Sequence, residues 1–256
     1  MSVNAAEDRP PTPPGIRRVT PAAPIDWLAA GWRDLVATRF TGLLYGAAFA
    51  AMGIAVATVY ANYWQLTMGL IGGFFLLGPF VATGLYDLSR QREAGGPVSL
   101  ASSLTCWRKN PGSIGLFAVV LTFLMIVWAR VSVIQFALVS NTSIPTLEGM
   151  IGTIFSLDNL PFLGLWTATG AAFATLAFAI SVVSVPMMLD RGADAFGAVF
   201  ASVRALVANP LPMLVWAVTI VVVIGLSLAL GFLPLVVTGP LVGHATWHAY
   251  RAMVER

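Results

Sequence analysis

The sequence predicts an all-α integral membrane protein: six transmembrane helices in three hairpins, each hairpin preceded by an interfacial amphipathic helix on the cytoplasmic side. Three observations carry this reading. Apolar runs recur along the chain, each about 20 residues and so long enough to cross about 30 Å of hydrocarbon as a helix. The chain is 58% hydrophobic and 10% charged, with a mean hydropathy of +0.84. A soluble protein carries about 25% charged residues. Of the 14 Lys and Arg residues, all but Arg130 fall on one side of the apolar series: Arg9, Arg17, Arg18, Arg33, Arg39, Arg90, Arg92, Arg108, Lys109, Arg191, Arg204, Arg251 and Arg256. That is the positive-inside pattern, and it places both termini of a multi-pass protein in the cytoplasm.

The elements follow in order. Residues 1–24 carry Pro10, Pro11, Pro13, Pro14, Pro21 and Pro24 with Glu7 and Asp8. They lack the apolar stretch of a signal peptide and read as a disordered cytoplasmic tail ahead of a membrane domain over 25–256. Spans are expected at about 41–60 and 66–86, joined by Asn62, Tyr63, Trp64 and Gln65, where Tyr and Trp suit the lipid–water boundary. The third, about 113–133, follows Asn110-Pro111-Gly112, and an outer segment from Ser140 to Pro161 carries Glu148 and Asp158. The remaining spans fall at about 162–189, 211–230 and 233–250, the last two joined by a tight turn near Gly231 and Phe232.

Ahead of each odd-numbered span stands a stretch too short and too polar to cross: Asp26–Thr38, Val98–Lys109 and Asp194–Ala208. The last puts Phe196, Val199, Phe200, Val203, Leu206 and Val207 at helical spacing, which suits a helix lying on the inner leaflet. Two of the stretches match in register, Trp32-Arg33-Asp34-Leu35-Val36-Ala37 with Val203-Arg204-Ala205-Leu206-Val207-Ala208. Gly78-Pro79-Phe80-Val81 likewise matches Gly239-Pro240-Leu241-Val242. The economical reading is an internal threefold repeat of interfacial helix plus hairpin, with the middle unit most diverged.

Few residues are candidates for chemistry. Pro79, Pro186 and Pro240 each fall in an even-numbered span, where proline removes a helical hydrogen bond and kinks the chain. Such kinks shape packing, or free carbonyls that line a cavity. Arg130 is an intramembrane charge near the outer end of its span; it either snorkels and pairs with Glu148 or Asp158, or contacts an anionic ligand. His244 and His248 are four apart and share a helix face, which makes them weak metal candidates, since no cysteine or carboxylate accompanies them on that helix. Interfacial contacts are the preferred reading for both. Asp87 and Asp190 are expected to pair with Arg90 and Arg191. The only cysteine, Cys106, excludes an internal disulfide. It reads as a small buried residue, although Arg108 and Lys109 beside it would favour a thiolate. Gly42, Gly46 and Ala50, and Gly164, Ala168 and Ala172, recur four apart and are expected to pack helices closely inside the bundle. Nucleophile–base, zinc-protease and phosphate-loop motifs are absent, as are carboxylates at span centres. The basic loops face anionic lipid, so nucleic acid is an unneeded partner.

Phe74-Phe75-Leu76-Leu77-Gly78-Pro79, continued by Gly84-Leu85-Tyr86 to Ser89-Arg90, resembles the bacterial inner-membrane family catalogued as domain of unknown function 2189. So do Val185-Pro186-Met187-Met188-Leu189-Asp190-Arg191, Ala208-Asn209-Pro210, and Gly243-His244-Ala245-Thr246-Trp247-His248-Ala249-Tyr250-Arg251. The likeness covers about 26–251 and implies a polytopic protein of the bacterial inner (plasma) membrane. Members of that family are sometimes labelled a cytochrome oxidase subunit I. A haem–copper core needs imidazoles from several helices, whereas this chain has only His244 and His248, on one. The expected function is therefore non-enzymatic and cofactor-free, acting through helix and lipid contacts in assembly or maintenance of a membrane complex. The partners are the lipid bilayer and, as a candidate, another membrane protein or respiratory complex. The alternative is a small-solute transporter or channel with kinked helices at Pro79, Pro186 and Pro240.

Overall fold

The structure is a computed structural model and describes residues 14–62, 81–139 and 160–255. Its regular elements are helices: α1 (Ala23–Thr38), α2 (Phe40–Asn62), α3 (81–93), α4 (Leu100–Thr105, continued by a 3-10 turn over Cys106–Lys109), α5 (Pro111–Val139), α6 (Leu160–Ser181), α7 (Ser184–Arg191), α8 (Ala195–Ala208), α9 (Pro210–Ala229) and α10 (Leu235–Met253). Local chemistry sets the boundaries. Pro111 and Pro210 open α5 and α9, where a missing N–H costs nothing. Asp194 caps α8 by accepting from the Gly197 amide at 2.9 Å, and Gly192 ends α7 in the left-handed conformation. Gly231 and Phe232, both at positive φ, turn α9 into α10 at the expected position.

Among the described residues, four helical segments are long and apolar enough to cross a membrane: Phe40–Thr58, Pro111–Gln135, Phe162–Arg191 and Pro210–Ala229. They match the expected first, third, fourth and fifth spans. Most of the expected second span, 66–80 with Pro79, lies outside the described residues. The expected sixth span is a helix but is not among the four. Its second half is polar and buried, with His244, Ala249 and Tyr250 wholly enclosed. The outward faces of α5 and α9 carry Val119, Phe123 and Ile126, and Leu214, Val218 and Val221, all exposed. Soluble proteins rarely leave contiguous apolar faces of this kind bare.

The core forms around α10. α1 lies along it with Gly31 against the Ala245 amide, where a Cβ would stand 2.7 Å away. α2 meets the other flank through Gly46, whose Cβ would stand 2.0 Å from the Val236 carbonyl oxygen. Pro240, four residues on, has no N–H to bond that carbonyl, so a proline on one helix and a glycine on the other meet at this contact. α10 runs on unbroken through Pro240. At Pro186 the outcome differs. The helix breaks at Val182 and Val183, and the Ser202 hydroxyl of α8 accepts from the freed Val183 amide at 3.2 Å.

The three connecting helices sit in cyclic order. α4 abuts α3, with Val98 and Leu100 packed on Tyr45, Leu85 and Leu88. α8 packs on α6 and α7, and α1 packs on α10. Each therefore rests on the helix that closes the preceding expected hairpin, with α1 taking the last. The end of the expected tail differs from a disordered one. Residues 1–13 lie outside the described residues, but Ile16 bridges Val254 and the Arg17 amide donates to the Met253 carbonyl at 2.8 Å. Val19 N donates to Asn209 Oδ1 at 2.8 Å, so the segment is a strap across the bundle end.

Candidate polar site at the basic end of the bundle

The inner face of α1 is formed by Trp27, Gly31, Asp34, Leu35 and Thr38, all buried. An acid on that face needs a partner, and α10 supplies one: His248 Nε2 lies 2.8 Å from Asp34 Oδ2. Arg92 of α3 approaches the other oxygen, Nε to Oδ1 at 3.4 Å. Burial alone would raise the Asp34 pKa, but the hydrogen bonds from His248 and Ser89 and the nearby imidazoles hold it below its ordinary value. One turn earlier on α10, His244 is fully buried. Its Nδ1 is 2.7 Å from Ser89 Oγ and its Nε2 is 3.5 Å from Thr38 Oγ1.

A second cluster lies further out. Arg251 Nη2 donates to Glu93 Oε1 at 2.7 Å, and its Nη1 is 3.4 Å from Asp190 Oδ2. Trp247 Nε1 donates to Glu93 Oε2 at 3.2 Å, and Tyr250 donates to Asp190 Oδ2 at 2.7 Å. Arg191 Nε donates to the Tyr250 hydroxyl at 3.0 Å. Glu93, Asp190, Trp247 and Arg251 line an open cleft of about 240 Å³ with Arg90 and Ala94. A third cluster centres on Asp87, fully buried, which accepts from Arg90 Nε at 3.0 Å and Gln91 Nε2 at 2.6 Å, with Lys109 Nζ 3.8 Å away. Together the clusters tie α1, α3, α7, α10 and the turn after α4 at one end.

Asp87 pairs with Arg90, as its spacing predicts. The arginine that reaches Asp190 is Arg251, while Arg191 beside it is linked only through the Tyr250 hydroxyl. Chain proximity misled here because the Tyr250 hydroxyl stands between Arg191 and the Asp190 carboxylate. The two histidines take separate partners, one a hydroxyl and one a carboxylate. No group of three His, Cys, Asp or Glu able to hold a metal forms among the described residues. Cys106 is buried, in line with its reading as a small buried residue, and burial pushes its thiol pKa up, so the thiolate that Arg108 and Lys109 would favour is disfavoured. Arg130 is exposed on α5; Glu148 and Asp158 lie outside the described residues. Gly42 and Gly46 pack inside, with Ala50 buried. Gly164, Ala168 and Ala172 instead face outward, with nothing within 4 Å of a Cβ built on Gly164, so that stripe departs from the expected internal packing.

Sequence reasoning missed Ser89, Thr38 and Glu93. A signal existed for Asp34, an acid on the apolar i, i+3, i+4 face of α1 where the matching register holds Ala205. No characterised protein and no solved structure matches the chain. Residues 66–190 match the family model described as predicted integral membrane protein (DUF2189).

Proposed function

We propose that the chain is a non-enzymatic protein of the bacterial inner membrane, with both termini cytoplasmic, that assembles or maintains a membrane complex through helix and lipid contacts. One observation carries the reading: the polar side chains at the basic end are engaged with one another. The pair that comes nearest to a nucleophile and its base, Ser89 and His244, is sealed, at 1% and 0% exposure. The ion pairs of Asp34, Glu93 and Asp190 join separate helices, and the outward faces of α5 and α9 stay apolar. On this reading the six spans form three hairpins, each introduced by an interfacial helix. The cyclic seating of α1, α4 and α8 supports a threefold repeat. So does the burial register: Ile25, Trp32 and Val36 are exposed, as are Phe196, Val203 and Val207 at the matching positions.

The test is extraction of the tagged full-length protein in mild detergent, followed by identification of what co-purifies. A stoichiometric membrane-protein partner is the expected result. A monomer carrying lipid alone, joined by solute flux in proteoliposomes that Pro186→Ala or Arg130→Gln abolishes, would overturn the assembly role in favour of transport.

A further inference from the structure

Two groups of basic side chains at this end differ in their partners. Arg90, Arg92, Lys109 and Arg251 each stand within 4 Å of a carboxylate. Arg33, Arg108 and Arg204, one on each connecting segment, make no ion pair among the described residues. The first group is committed to holding helices together. In the second, Arg33 and Arg108 are exposed, and Arg204 is half-buried with one long donation to the Pro14 carbonyl at 3.5 Å; the surroundings are apolar. Trp32 is 51% exposed beside Arg33, Leu104 is 55% exposed ahead of Arg108, and Phe200 is 61% exposed beneath Arg204. The Arg204 guanidinium lies 5.9 Å from the Phe200 ring centroid, and that of Arg108 lies 5.5 Å from the Trp107 ring. An arginine held over an aromatic ring keeps its donors free for an anion while the ring enters an apolar layer.

We propose that α1, the α4 turn and α8 form one docking collar for anionic phospholipid. Arg33, Arg108 and Arg204 each meet a headgroup phosphate, and Trp32, Leu104 and Phe200 enter the acyl boundary. The proposal rests on the reading of this end as the cytoplasmic face of an embedded protein. Charge selects the occupant. Three unpaired guanidiniums within apolar stripes complement a surface that is negative at the head and hydrocarbon below it. A second copy of the chain docking on the same face would set arginine against arginine, and like charges in contact are repelled.

The experiment titrates the purified full-length protein in neutral detergent with short-chain phosphatidylglycerol or phosphatidylcholine and follows tryptophan fluorescence. The wild type is expected to prefer phosphatidylglycerol by about fivefold at each site, the factor that corresponds to about 1 kcal/mol per basic residue at an anionic surface. The triple variant Arg33→Gln/Arg108→Gln/Arg204→Gln loses the preference while its thermal unfolding stays that of the wild type. The triple Arg→Lys variant keeps the preference, which separates charge from side-chain packing. Equal binding of both lipids by the wild type, an unchanged preference in the Gln variant, or self-association of the wild type that the Gln variant abolishes would each overturn the collar. Extraction of the protein from membranes by alkaline carbonate would instead sink the membrane reading beneath it.

Discussion

Gly46 and Gly164 belong to two sequence stripes of the same form, and their surroundings differ completely. A side chain at Gly46 would collide with the Val236 carbonyl, whereas nothing stands near Gly164. Gly46→Leu is expected to destabilise the purified protein by about 3 kcal/mol or more, the upper range for overpacking. Gly164→Leu should stay within about 0.5 kcal/mol, as for an open surface. Chemical unfolding in detergent micelles measures both, and equal losses would contradict the packing described. Asp34 gives a pH-dependent test. Its folded pKa lies below the ordinary 3.8, so the stability it contributes is present above that value and lost as pH falls through the folded one. The wild type should therefore lose thermal stability below about pH 4 more steeply than Asp34→Asn. Parallel curves for the two proteins would show that the carboxylate contributes nothing. Neither behaviour is legible from residue type alone, because both depend on what the rest of the chain brings alongside.

The prolines show how one substitution rule gives two elements. Pro186 takes away the donor for the Val182 carbonyl, the long helix breaks at Val182 and Val183, and Ser202 accepts from the Val183 amide there. Pro240 leaves α10 continuous because its unbonded carbonyl is covered by α2 at Gly46. The asparagines that precede Pro111 and Pro210 act alike. Asn110 donates to the carbonyls of Met188 and Ala193, ahead of α8, and Asn209 donates to that of Arg17, ahead of α1. Each thus fastens the start of one helix to the chain entering the next connecting helix. Asn209→Ala removes the bonds to both Arg17 and Val19 and should cost about 2 kcal/mol at about 1 kcal/mol per bond. The strap should also become cleavable by added protease near Arg17 and Arg18. A variant as stable and as resistant as the wild type would show that the strap is not held through Asn209.

At the scale of the molecule, the helices and the site were legible to different degrees. The apolar runs at 41–60, 113–133, 162–189 and 211–230 coincide with helices long enough to cross a bilayer, because hydrocarbon thickness imposes length and composition directly on sequence. The connecting helices at Asp26–Thr38 and Asp194–Ala208 were visible through their periodicity, and their boundaries agree within a few residues. The sixth helix was found, but its role was not. A stretch with His244, His248 and Arg251 looks like an interfacial end until α1, α3 and α7 close around it and supply Asp34, Glu93 and Asp190.

What the sequence determined by itself is the membrane class, the helix content and the segregation of basic residues, since each follows from composition and spacing along one chain. What only the tertiary structure decided is the division of those basic residues into paired and unpaired sets, the true partner of Asp190, and which of two similar small-residue stripes faces inward. Apart from the local Asp87–Arg90 pair, those properties depend on residues from separate helices meeting in the folded bundle. Ion pairing falls off within a few ångströms, so local pattern cannot register it.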